Sequence, residues 1–183
     1  MYKDKSVCVV VPAYNVETHI LDVLKTIPAY VDRIIVVEDC AEDNTRALLT
    51  TVTDPRVLVL HHEVNQGVGG AMVTGLKRAL ADGCDLIVKM DGDGQMDPAL
   101  LSDLLDPLVD DDYAYAKGNR FLNNAKLKEM PPIRLIGNYG LTFLTKLASG
   151  FWHVFDPQNG FIAIKGEALK SFDLDRIAKR YFF

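Results

Sequence analysis

The chain has 183 residues, 49% of them hydrophobic and 25% charged, and a formal net charge of −5. That is enough chain for one ordinary globular domain with a sizeable core. The acidic balance argues against nucleic acid as a bulk partner, and no apolar run approaches the ~18 residues that span a bilayer.

The charge is uneven. Residues 1–112 carry 20 acids against 9 bases, and residues 113–183 carry 5 acids against 11 bases. The first part suits cations and the second an anion such as a phosphate, although solvated helix faces would give the same asymmetry. No signal peptide is legible, because MYKDKSVCVVVPAYN runs straight into a strand and turn. Cys8, Cys40 and Cys84 are odd in number and lack CxxC spacing. They predict neither zinc nor a disulfide framework, and read as reduced thiols of a cytoplasmic protein, two of them in strands.

In chain order, SVCVVVPAY reads as an apolar strand ending in a proline turn. NVETHILDVLKTI follows as a helix, with Ile20, Leu24 and Ile27 at helical spacing and Asn15 as its candidate cap. RIIVVED is a second strand, EDNTRALLTTV a short helix, and RVLVLHH a third strand. VGGAMVTGLKRALADG is a helix with Met72, Leu76, Ala79 and Leu80 on one face, and DLIVKMDG is a fourth strand. Asp97 then caps a helix that has Pro98 at its first position and Leu100, Leu101, Leu104, Leu105 and Leu108 as its buried stripe. Beyond residue 112 come a strand in YAYAKGNRF, a basic loop, a bulky apolar helix in IRLIGNYGLTFLTKLASGFWHVF, and a turn plus short strand in DPQNGFIAIKGEAL.

The strands are continuously apolar, the mark of parallel strands covered on both faces. Strand–helix repetition with right-handed crossovers predicts an α/β fold with a doubly wound sheet, whose ligands bind beyond the carboxyl ends of its strands. VPAYN, EDCAED, HHEVNQG and DGDGQ all fall at those ends. The chain stops at RIAKRYFF without the polar fraying expected of a terminus. The expectation is a single domain, 1–183, truncated at its C-terminal side.

DGDGQ carries the clearest chemistry. Asp91 and Asp93 reach similar space if the turn curls, as Gly92 and Gly94 allow. Hard divalent cations favour such carboxylates, and magnesium takes one or two of them plus substrate phosphates. An EF-hand loop beginning at Asp91 would need Gly at its sixth position and Glu at its twelfth, where Met96 and Ser102 stand. A haloacid dehalogenase-type phosphatase also uses DxD, with the first Asp as nucleophile, but Gln95 and the fourth-strand position disfavour it.

Other loops are weaker signals. GVGGAMVTG can offer backbone N–H groups to a phosphate, but by itself more often means close helix–strand packing. Asp39 can accept hydrogen bonds from a ribose or base, whereas Asp43 reads equally as a helix cap. Among the basic residues of 117–134, Arg120 and Arg134 are the phosphate candidates. His19, His61, His62 and His153 lack partners at ligand spacing and read as structural. Trp152, with Phe151 and Phe155, reads as core before sugar platform or lipid surface.

Together, VVPAYNVE, VVEDCAEDNT, NQGVGGAMVTGLKRAL and DGDGQMDP resemble family 2 glycosyltransferases of the GT-A fold, and within them the dolichyl- or polyprenyl-phosphate sugar synthases. The DxDxQ of Asp91–Gln95, GNRF, the arginine opening the next helix and DPQNGF carry the closer likeness. The resemblance implies that Pro12, Tyr14, Glu17, Asp39, Gly67, Asp91 and Gly92 meet a UDP- or GDP-sugar donor. Asp91, Asp93 and Gln95 would hold Mg²⁺ or Mn²⁺, and Arg120 and Arg134 would hold phosphates.

The implied reaction is inverting transfer to a polyprenyl phosphate at the cytoplasmic face of a membrane, with peripheral association. A carbohydrate hydroxyl acceptor, as in surface polysaccharide assembly, is the alternative and would need a base, for which Asp156 is the candidate. A non-catalytic nucleotide-sugar-binding domain is a third reading. Two positions depart from the family pattern. Glu38-Asp39-Cys40-Ala41 stands for DDxS, and Asn159 stands where the GF segment carries serine or threonine.

Overall fold

The computed structural model describes residues 1–119, 132–150, 152, 156 and 159–180, with 132–136, 138 and 139 described by backbone alone. The chain falls into two compact units, Met1–Ala116 with Phe161–Phe182, and Lys117–Gly160 with Phe183.

The sheet of the fold contains β1 (Val7–Ala13), β2 (Arg33–Glu38), β3 (Val57–His61), β4 (Leu86–Lys89), β5 (Tyr115–Lys117) and β6 (Ile162–Lys165). Their spatial order is β3-β2-β1-β4-β6-β5. β1 runs parallel to β2 and β4, β2 runs parallel to β3, and β6 runs antiparallel to β4. The doubly wound, mostly parallel sheet matches the reading of continuously apolar strands. All seven residues of β1 are buried, which requires cover on both faces.

Alternation along the strands sorts that cover. Val7, Val9, Val11, Ile34, Val36 and Val88 face a cluster built with α1 (Ile20–Thr26) and α4 (Leu101–Val109). Cys8, Val10, Ile35, Val37 and Ile87 face the opposite way, against α3 (Gly67–Ala81) and α6 (Gly166–Leu169), the element after β6. Each fully buried valine or isoleucine contributes about 1.5–3 kcal/mol relative to an exposed one. Among the described residues the remaining α-helices are α2 (Thr45–Leu49) and, in the second unit, α5 (Pro132–Ser149).

Several local expectations change. Asn15 does not cap α1, which begins at Ile20; Asn15 has a left-handed φ of 52°, and its Oδ1 accepts from the Glu42 amide at 2.9 Å. Its side chain therefore joins two loops. Asp97 does cap, accepting from the Ala99 amide at 3.0 Å, but the turn it starts is a 3-10 turn, Pro98–Leu100, before α4. Leu100 is exposed on that turn, whereas Leu101, Leu104, Leu105 and Leu108 are buried.

The thiol reading is corrected for two of the three cysteines. Cys8 and Cys84 form a disulfide, with Cα atoms 6.0 Å apart. Parallel pairing sets Cys8 opposite Ile87, which brings the turn before β4 to β1. The partners are 76 positions apart, so spacing alone carried no hint. Only Cys8 lies in a strand, and Cys40 is free.

Candidate active site

The chain leaves β1 for β2 and β3 on one side, then returns to β4 on the other side of β1. The loops after β1 and β4 therefore diverge, and a doubly wound sheet opens its ligand crevice at such a point. A cavity of about 1090 Å³ lies there, lined among others by Pro12, Tyr14, Asp39, Gly67, Asp91 and Asp93. The strand-end loops thus bring these sequence candidates, and Gly92, into one space.

Asp39 follows β2 and is buried. Its Oδ1 accepts from the Gln66 amide at 2.9 Å and lies 2.6 Å from His62 Nδ1; its Oδ2 accepts from the Gly67 amide at 2.8 Å. A carboxylate only accepts, so Nδ1 of His62 carries the proton. His62 Nε2 lies 2.9 Å from the Thr74 hydroxyl on α3. Beside it, His61 Nδ1 is 3.0 Å from Oε2 of the fully buried Glu38, which also accepts from the Ala41 amide at 2.6 Å.

These two histidines therefore have acidic partners, which the sequence did not reveal by ligand spacing. The signal that would have found them is register, because parallel pairing sets Glu38 opposite His61.

At the end of β4, Lys89 is 3% exposed and its Nζ lies 2.6 Å from Asp91 Oδ1. Gly94, at φ 76°, allows the turn that follows. Asp93 Oδ1 accepts from the Gln95 amide at 3.0 Å. Gln95 itself is exposed and is not among the lining residues. Among the described residues no group of three or more His, Cys, Asp or Glu side chains could hold a metal ion unaided. Two carboxylates one glycine apart fit a Mg²⁺-like cation whose other ligands are diphosphate oxygens and water.

The glycine motif proves to be a packing surface. A Cβ on Gly75 would overlap Val10 of β1 and press on Val37 of β2, the helix–strand packing that the sequence favoured. A Cβ on Gly67 would lie 2.7 Å from the Lys179 carbonyl oxygen, and one on Gly69 would overlap that of Ala178. The first amides of α3 are also engaged: Gly67 N–H donates to Asp39 and Asn65 side chains, and Gly70 N–H donates to the Lys179 carbonyl at 3.0 Å. The open phosphate cradle is therefore partly filled by protein groups.

Other candidates sit elsewhere. Glu17 is not among the residues lining this cavity; its Oε2 accepts from the amide and side chain of Asn44, both at 2.9 Å. Arg120 lies outside the described residues, as does the side chain of Arg134 in the first turn of α5. Asp156, in the second unit, is 2% exposed, and its carbonyl accepts from the Asn159 amide at 3.1 Å. Trp152 is 54% exposed, with its ring 6.5 Å edge-to-face from Phe143, so it is not core. Phe151 and Phe155 lie outside the described residues. No helix among the described residues is long and apolar enough to cross a membrane.

Comparison with known proteins places this geometry. Residues 8–172 match the model of glycosyl transferase family 2. The chain is similar to the UDP-N-acetylglucosamine–dolichyl-phosphate N-acetylglucosaminyltransferase of Methanococcus voltae, with 35% identity over 97% of this chain and 76% of that protein. It is also similar to the polyprenol monophosphomannose synthase of Mycolicibacterium smegmatis, with 30% identity over 96% and 68%. The undecaprenyl-phosphate mannosyltransferase of Micrococcus luteus is 31% identical over 82% and 62%.

Among solved structures, glucosyl-3-phosphoglycerate synthase from Mycobacterium tuberculosis, in complex with Mn²⁺, UDP and glucosyl-3-phosphoglycerate, shares the fold with a TM-score of 0.65 and 24% identity. That match covers 92% of this chain and 60% of the solved one. The chain carries the GT-A fold and belongs to glycosyl transferase family 2, as a glycosyltransferase.

Proposed function

We propose that this glycosyltransferase moves a sugar from a UDP- or GDP-sugar to a polyprenyl or dolichyl phosphate, with inversion, at the cytoplasmic face of a membrane. The observation that carries the reading is the cavity at the switch point, lined by Asp39, Asp91 and Asp93. Relatives whose names specify dolichyl, undecaprenyl or polyprenol acceptors support the choice of acceptor.

Asp39, held by three donors, is a fixed acceptor for the nucleoside. Tyr14, 42% exposed at the cavity, offers a ring to the base. Asp91 and Asp93 would hold Mg²⁺ or Mn²⁺, which when bound supplies charge neutralisation to the leaving diphosphate. Gln95 would join that set by turning inward from its exposed position. Arg120 and Arg134 are assigned to phosphates of donor or acceptor.

A lipid phosphate arrives as an anion and needs no base. That fits the lining acids, since Asp39, Asp91 and Asp93 all accept hydrogen bonds from protein groups. Asp156 then has a positioning role in its own unit. Peripheral membrane contact is assigned to α5, where Leu141, Phe143, Leu144 and Leu147 are exposed.

The test is transfer of radiolabelled sugar from UDP- and GDP-sugars to a short polyprenyl phosphate with Mg²⁺, beside a free oligosaccharide acceptor. Label in the organic phase with one donor supports the reading. Label only in the oligosaccharide, or no turnover by full-length protein with any donor, sinks it.

A further inference from the structure

The segment 178–180 reaches the cavity at the N-terminal turn of α3. Its backbone is seated directly on that turn. Gly70 donates to the Lys179 carbonyl at 3.0 Å, and side chains at positions 67 and 69 would collide with the backbone of Lys179 and Ala178. The glycines therefore bring two stretches of main chain into contact where any Cβ would hold them apart.

The segment also carries charge. Lys179 and Arg180 both line the cavity and are exposed. Neither has an ion-pair partner among the described residues. The other charged side chains lining it are those of Asp39, Asp91 and Asp93. Lys89, a buried cation at the end of β4, is already committed to Asp91.

A diphosphate entering a space walled by three carboxylates meets repulsion that one divalent cation offsets only in part. Arginine and lysine are the side chains suited to phosphate oxygens. We propose that Lys179 and Arg180 form the cationic wall that binds the diphosphate of the donor, and that Gly67, Gly69 and Gly70 are the platform that positions them. This rests on the nucleotide-sugar reading of the same cavity. It assigns the glycine motif to holding a cation-bearing segment, in place of binding phosphate on its own amides.

The experiment is calorimetric titration of full-length protein, with Mg²⁺ present, using UDP and GDP and the nucleosides uridine and guanosine as probes. Wild-type protein should bind one nucleoside diphosphate. The double variant Lys179→Ala/Arg180→Ala should weaken that affinity by about tenfold or more, the scale of one charge-assisted hydrogen bond, while the matching nucleoside binds as before. Raising salt should weaken wild type more than the variant.

Gly69→Val, which pushes the segment off its seat, should reproduce the loss. Because that change can disturb the helix, the double variant of two exposed side chains is the deciding one. Unchanged diphosphate affinity in it overturns the proposal, as does an equal loss for the nucleoside. Wild type that binds neither diphosphate removes the donor reading itself, and this proposal with it.

Discussion

Lys89 Nζ lies 2.6 Å from Asp91 Oδ1, with the lysine 3% exposed and the aspartate side chain 31% exposed. The two carboxylates of DGDGQ are therefore not left to repel each other unaided: a buried ammonium offsets one of them. The same lysine would be buried without a counter-charge if Asp91 were absent. The pair is thus mutual, and it fixes the rotamer of a residue at the mouth of the cavity. Lys89→Met should lower stability by about 1–3 kcal/mol, the cost of leaving such a partner unsatisfied. Urea unfolding checks this, and a midpoint equal to wild type would contradict it.

Asp93 should behave differently. It is half-buried, and its carboxylate accepts from the Gln95 amide with no ion-pair partner among the described residues. Asp93→Asn should leave the unfolding midpoint nearly unchanged and lower transfer by more than the ~10–100-fold typical of groups one bond further from a metal. Sugar transfer and thermal melting measured on the same preparation separate the two effects.

The His62–Asp39 pair gives a graded series. His62→Ala removes one of three donors to Asp39 and leaves Thr74 without its ring partner. Thr74→Val removes only the outer bond. Nucleoside diphosphate affinity should fall by about tenfold for His62→Ala, as for one hydrogen bond to a charged group, and by less for Thr74→Val. Calorimetry giving the reverse order would show that His62 does not position Asp39.

Gly75 tests the packing reading of the glycine motif. An alanine there must displace Val10 or Val37 across the helix–strand interface. Gly75→Ala should cost about 1–3 kcal/mol despite its better helix propensity. At this chain length that is about 2–4 °C in Tm per kcal/mol. Calorimetric melting at or above the wild-type Tm would mean the interface relaxes freely.

Acid should weaken the fold through several aspartates, Asp85 and Asp54 among them. The Ser6 amide and hydroxyl hold Asp85 below the ordinary carboxylate value, and the Arg56 side chain and amide do the same for Asp54. A carboxyl whose folded value is depressed gives stability that is present above its unfolded pKa, about 3.9, and lost as pH falls through the folded one. Chemical stability should therefore decline below about pH 4. Asp85→Asn should flatten part of that decline, and an identical profile in the variant would remove Asp85 from the account.

Much was legible before any tertiary structure. Continuous apolar runs such as VCVVVPA specified buried parallel strands, because a strand covered on both faces has no polar side to alternate. Strand–helix order then specified the doubly wound sheet, and with it the edge where VPAYN, EDCAED and DGDGQ meet. The pairing of Lys89 with Asp91 was hidden because a lysine two positions before an aspartate has no fixed direction until the strand end is built.

What the sequence determined by itself was the class of fold and the strand-end loops that line most of the cavity. Period and order along the chain are local properties. Tertiary structure alone decided which groups satisfy one another across long separations. Register brought His61 to Glu38, sheet order brought Cys84 to Cys8, and the docking of 178–180 against Gly67 and Gly69 of α3 brought Lys179 and Arg180 to the cavity. Those pairings depend on the distance between residues remote in sequence, and only the folded backbone sets that distance.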